Sequence, residues 1–166
     1  GWWRIALVYF LGVLFGNLFS CVMLPTRTSV GANGAIFALI GAAVAELIVM
    51  RGASSETPLK DILKYSLFIL IALILGLLPF IDNFTNIGGL IAGVAAGLFT
   101  ISITKHASVY RRFSGLAAGT CGLATIIVGL ILLLMLVFAN KNVDEWCEAC
   151  AWINCIHVSN WCDETI

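Results

Sequence analysis

Long apolar runs and short polar connections alternate along the chain. An α-helix needs about 20 apolar residues to cross a bilayer, and five runs of that kind are expected, at about 5–24, 30–50, 62–81, 85–104 and 115–139. The connections "PTRTS", "RGASSETPLKD", "IDNF" and "KHASVYRRFS" gather turn formers and charges. None of the runs carries the polar face that a helix of a soluble bundle turns to water. The pattern predicts an all-α polytopic membrane protein, a bundle of five transmembrane helices.

Composition agrees with the pattern. Of 166 residues, 61% are hydrophobic and 11% charged, against about 45–50% and about 25% in soluble domains. Formal charge sums to zero but divides unevenly. From Lys141 onward one lysine faces five acids, a net −4, and the preceding residues carry a net +4. With no initiator Met and no basic–apolar–small signal pattern, and with "GWWRI" reading as an aromatic-basic membrane boundary, the chain is expected to be a piece of a longer protein.

Sidedness follows from the basic residues, which concentrate on the cytosolic side of membrane proteins. Arg4, Arg51, Lys60, Lys64, Lys105, Arg111 and Arg112 fall on one face and only Arg27 and Lys141 on the other. Loops 51–64 and 105–114 are therefore expected in the cytosol, and the C-terminal tail in a lumen or outside the cell. These thin loop clusters give no support to nucleic-acid binding. The tail holds Cys147, Cys150, Cys155 and Cys162. On an oxidising side, four such cysteines predict two disulfides with three possible connectivities. A zinc site, with His157 as a further ligand, is the alternative that Cys-x-x-Cys leaves open. Cys21 and Cys121, inside spans, are expected to be small apolar filler.

Lipid tails are as apolar as leucine, so membrane helices associate through close packing of small residues. "NIGGLIAGVAAG" places Gly89, Gly93 and Gly97 four apart on one face. Gly34, Ala38, Ala42 and Ala45 give the second span a similar stripe, Gly12 and Gly16 the first, and Gly115 and Gly119 the fifth. Polar residues within spans are few. Glu46 is expected to reach the cytosolic interface and Asn17 to hydrogen-bond between helices. Asn33 and Asn86 are placed at matched depth, about one turn inside the same end of the second and fourth spans, beside the small-residue stripes. They are expected near each other and within hydrogen-bonding reach.

These residues resemble the rhomboid family of intramembrane serine proteases. "GANGAIFALIGA" (31–42) is similar to the family's Gly-x-Ser-Gly motif, with Asn33 where the nucleophilic serine would be. "DNFTNIGGLIAG" (82–93) is similar to its Ala-His-x-x-Gly-x-x-x-Gly motif, with Asn86 where the catalytic histidine would be. The motif glycines Gly31, Gly34, Gly89 and Gly93 remain. "WWRIALVYFLGVLFGNL" resembles the family's third helix, including its Gly-Asn pair. The resemblance implies three parts. Residues 1–104 form a partial rhomboid core without its first two helices, which include the one bearing the oxyanion-site histidine and asparagine. Residues 105–139 form a cytosolic loop and the extra C-terminal helix of many eukaryotic members, and 140–166 the cysteine-rich tail.

A serine–histidine dyad needs a hydroxyl nucleophile and a base that titrates near neutrality, and an amide supplies neither. Ser29 and Thr85 stand near the two positions and read as loop and capping residues, with replacement of the nucleophile as the alternative. His106 lies on the wrong face, and His157 in the tail. The resemblance thus implies a pseudoprotease with no intact catalytic residue, no cofactor and no metal, binding transmembrane segments of client proteins within the lipid bilayer. An active intramembrane serine endopeptidase is the alternative. A transporter is disfavoured, because the deep polar groups are neutral amides without a charged relay and no inverted repeat is visible.

Overall fold

A computed structural model describes residues 1–24, 31–49, 58–76, 82–102 and 109–139. Arg27, Ser29, His106, Lys141, His157 and the four tail cysteines lie outside the described residues. The described chain forms five α-helices: α1 (Trp2–Met23), α2 (Asn33–Val49), α3 (Pro58–Leu75), α4 (Asn83–Ser102) and α5 (Val109–Phe138). Three of them contain stretches long and apolar enough to cross a membrane, in Trp2–Met23, Asn83–Thr100 and Gly119–Phe138, and two shorter apolar stretches lie in Asn33–Leu47 and Ile62–Leu75.

Helix ends depart from the apolar runs where local chemistry decides them. α3 starts at Pro58, before the apolar run, because proline's fixed φ and missing N–H suit the first helical position. α5 starts at Val109 and takes Tyr110, Arg111 and Arg112 into the helix, a stretch expected as loop. At the other end of α3, Gly76 forms the turn that follows Leu75.

α4 is the hub. Its largest interface is with α2, followed by those with α1 and α5, whereas α3 meets α2 only lightly. The reason lies in the glycines. A Cβ added at Gly89 would strike the Gly34 backbone, one at Gly93 the Ala38 backbone, and one at Gly97 would lie 2.8 Å from the Ala42 Cα. On α1, Gly12 faces Gly34, Ala35 and Ala38, and Gly16 faces Thr85 and Gly34. The glycines that bring α5 in are Gly122, against the Ala95 carbonyl, and Gly129, against the Phe15 ring. Gly119 is buried on the same side of the helix. Val8, Ala38, Ala95, Ala96 and Ile126, from four helices, make one apolar core. Phe15, Val22, Ala92 and Leu133 make the next.

The outer surface is apolar. Leu59, Leu63, Leu67, Leu70, Ile71 and Ile74 of α3 and Leu132, Met135 and Phe138 of α5 are exposed. In water such surface would be disfavoured by about 25 cal/mol per Å²; against hydrocarbon that penalty vanishes. Trp2 and Trp3 are exposed at the start of α1, and the Arg4 guanidinium lies 5.5 Å from the Trp3 ring centroid, an aromatic-basic pair suited to the headgroup level. Glu46 is exposed near the end of α2. Cys21 and Cys121, expected as small apolar filler within spans, are free thiols on the exposed surface.

Candidate functional site

The two motif stretches meet where α2 and α4 begin. Gly31 has φ +149°, a backbone region that side chains disfavour, and it turns the chain into α2. Asn33 is the first residue of that helix and is exposed. Gly34, the next residue, sits where three helices touch. A Cβ there would lie 2.9 Å from the Gly12 carbonyl oxygen of α1 and 3.1 Å from the Thr85 methyl group of α4. Asn86, the fourth residue of α4, is 2% exposed, and its Oδ1 has no hydrogen-bond partner.

The expected pairing of the two amides therefore takes a different form. Both stand in the first turn of their helices, and those helices cross at Gly34 and Gly89. No hydrogen bond joins Asn33 to Asn86 among the described residues. Asn33 heads its helix instead of lying a turn inside it, which leaves its side chain on the surface while Asn86 points into the bundle. Asn17 was expected to bond between helices, yet its buried Oδ1 has no partner either.

The residue that organises this end of the bundle, Asp82, carried no expected role. Its Oδ1 accepts from the backbone N–H groups of Phe84 at 2.9 Å and Thr85 at 3.3 Å, so it caps the N-terminus of α4. Its Oδ2 accepts from the hydroxyls of Thr85 and of Ser20 on α1. One carboxylate thus starts α4 and fastens it to α1. The sequence signal was available: an Asp directly before a helical apolar run is a start signal. Ser20 had no such signal, since a serine within an apolar helix reads as packing. Asn83 adds a third tie, its Nδ2 donating to the Leu73 carbonyl of α3 at 3.2 Å. Thr85 is bound into the cap, as a capping residue should be.

Among the described residues no group of His, Cys, Asp and Glu is arranged to hold a metal ion. A cleft of about 360 Å³ lies elsewhere among the described residues, between α4 and α5, and is lined by residues that include Leu90, Val94, Cys121 and Thr125. Its lining is apolar apart from Cys121 and Thr125.

Similarities to known proteins follow the same boundaries. Residues 1–103 match the Rhomboid domain family. The chain is 30% identical to RHOMBOID-like protein 4 of Arabidopsis thaliana over 97% of its own length and 43% of that protein's. It is 29% identical to RHOMBOID-like protein 6, mitochondrial, of the same plant, over 97% of this chain and 57% of that one. It is 32% identical to Inactive rhomboid protein 1 of Homo sapiens over 94% of this chain and 18% of that protein. The chain thus spans about half the length of these plant relatives and less than a fifth of the human one. With a rhomboid domain over residues 1–103 and an apolar helical bundle built on the glycines of both motif stretches, this integral membrane protein belongs to the rhomboid family.

Proposed function

We propose that the chain is the membrane-embedded part of a rhomboid pseudoprotease, a scaffold that binds transmembrane segments of client proteins without cutting them. The reading rests on the motif resemblance, in which Asn33 and Asn86 fall where the family motifs hold serine and histidine. An amide nitrogen is a poor nucleophile and cannot form an acyl-enzyme, and an amide cannot take up a proton near neutrality. In catalytic units of this kind, loss of one member removes most of the rate, and loss of the second adds little. The neighbouring hydroxyl, Thr85 Oγ1, serves the α4 cap through Asp82. Similarity to a human protein named as an inactive rhomboid supports the same reading.

Binding needs the scaffold and not the nucleophile. The close α2–α4 contact survives at Gly89, Gly93 and Gly97, and α3, held lightly, leaves a side of the bundle where a client helix can pack. In this reading all five helices lie in the membrane, with residues 51–64 and 105–114 in the cytosol and the tail beyond the opposite face. The full-length protein should take no label from serine-reactive fluorophosphonate probes and should leave a transmembrane substrate intact. Photo-crosslinking from α3 in membranes should nevertheless capture transmembrane proteins. Labelling that disappears on changing Ser29 or Thr85 would establish an active protease with a relocated nucleophile. Cys147, Cys150, Cys155 and Cys162 should be oxidised in pairs, and mass spectrometry of unreduced protein should find no free thiol among them. Four free thiols with bound zinc would reverse both the redox assignment and the sidedness.

A further inference from the structure

Asn86 is 2% exposed with an unpartnered amide oxygen. Leaving a buried acceptor open costs about 1–3 kcal/mol, whereas an apolar side chain of similar shape avoids that cost. Leucine at this place would suit the fold at least as well, so stability does not explain the amide. Asp82 takes the first-turn N–H groups and the Thr85 hydroxyl, and the Asn83 amide donates to Leu73. Oδ1 of Asn86 is an acceptor with capacity to spare, held in the first turn of the bundle's central helix.

We propose that Asn86 Oδ1 accepts a hydrogen bond from a side-chain N–H or O–H donor on the membrane segment of a bound client, and so selects clients that carry a polar residue at that depth. The proposal rests on the client-binding reading above and gives that site its chemistry. Asn86 is the fourth residue of α4, so the donor sits roughly 5 Å along the axis from the helix start, at 1.5 Å per residue. Access runs beside α3. Asn83 stands three residues before Asn86, on the same side of α4, and its bond to Leu73 brings the end of α3 there. α3 has only light contact with α2 and is tied to the start of α4 by the Asn83–Leu73 bond, so it is the element whose displacement would open that end of α4. Within hydrocarbon the donor has no water to return to, which makes the bond selective.

The test uses the full-length protein in lipid nanodiscs and a leucine–alanine transmembrane peptide with one glutamine a single turn inside its end, at low peptide-to-lipid ratio. Comparison peptides carry leucine at that place or the glutamine at mid-span. Energy transfer should show the end-glutamine peptide binding about 3-fold to roughly 20-fold more tightly than either, the range of hydrogen bonds between membrane helices. Asn86→Leu should erase the preference without lowering the unfolding midpoint; Asn86→Ala serves should the leucine variant fail to fold. A preference that persists in the variant overturns the proposal, as does a lowered midpoint in both variants, which would mean that the amide is satisfied inside the fold. Equal binding of all three peptides by the unmodified protein overturns the role of Asn86 and leaves client binding standing. If the unmodified protein binds none of them, both readings fall.

Discussion

Gly93→Leu should destabilise the bundle by about 3 kcal/mol or more, at the upper end of what forced insertion into a packed interior costs. The size of the effect follows from what the new side chain meets. Even a bare Cβ at Gly93 would overlap the Cα, carbonyl carbon and carbonyl oxygen of Ala38. These are backbone atoms of a helix and cannot rotate aside as a flexible side chain could. α2 would have to move bodily away from α4, and Gly89 and Gly97 would lose their contacts with Gly34, Ala42 and Ala45 together. Thermal unfolding in detergent, followed by tryptophan fluorescence, should show the loss, and client capture should fall with it. Leu132→Ala on the exposed face of α5 is the control, with an expected change within about 0.5 kcal/mol. If Gly93→Leu melts like the unmodified protein, the α2–α4 seam is not packed as described.

Asp82→Ala should come next, with a loss of roughly 2–4 kcal/mol. Removal of an N-cap costs about 0.5–2 kcal/mol, and hydrogen bonds to a charged group contribute about 1.5–3 kcal/mol. The carboxylate makes both kinds of contact, capping α4 through Phe84 and Thr85 and holding Ser20 of α1. Two further variants separate the roles. Asp82→Asn retains a good cap and should lose less than Asp82→Ala, while Ser20→Ala removes only the tie to α1. An Asp82→Ala protein as stable as Ser20→Ala would mean that the cap contributes nothing, contrary to the geometry.

Much of the architecture could be read from the order of residues, because in a membrane helix two signals dominate: apolar length and the spacing of small residues. Gly89, Gly93 and Gly97 were legible as a contact face for that reason. Their partners on α2 followed from the matching stripe. Boundaries set by single residues were harder. Pro58 and Asp82 start helices by backbone chemistry that a count of apolar residues overlooks, and both starts were placed a few residues late. The site was legible in kind but not in orientation. Motif spacing marks Asn33 and Asn86 as corresponding positions, yet whether an amide at a helix start faces outward or inward depends on a rotation of one residue. Asn33 is the helix's first residue and faces out; Asn86 is its helix's fourth and faces in. Ser20 was invisible for another reason, since its partner is 62 residues away and no local pattern announces it.

Asn33 and Gly34 are neighbours in the chain and opposites in what they tolerate. One is exposed; the other lies between the Gly12 carbonyl and Thr85. Drift at position 33 can therefore run through serine, asparagine and other polar residues with little effect on folding, whereas position 34 admits almost nothing. On the pseudoprotease reading proposed above, an ancestor could have lost its nucleophile at position 33 in one step and kept a fully folded bundle. Laboratory evolution has the same latitude: a library randomised at 33 should yield mostly folded proteins, and one randomised at 34 mostly unfolded ones.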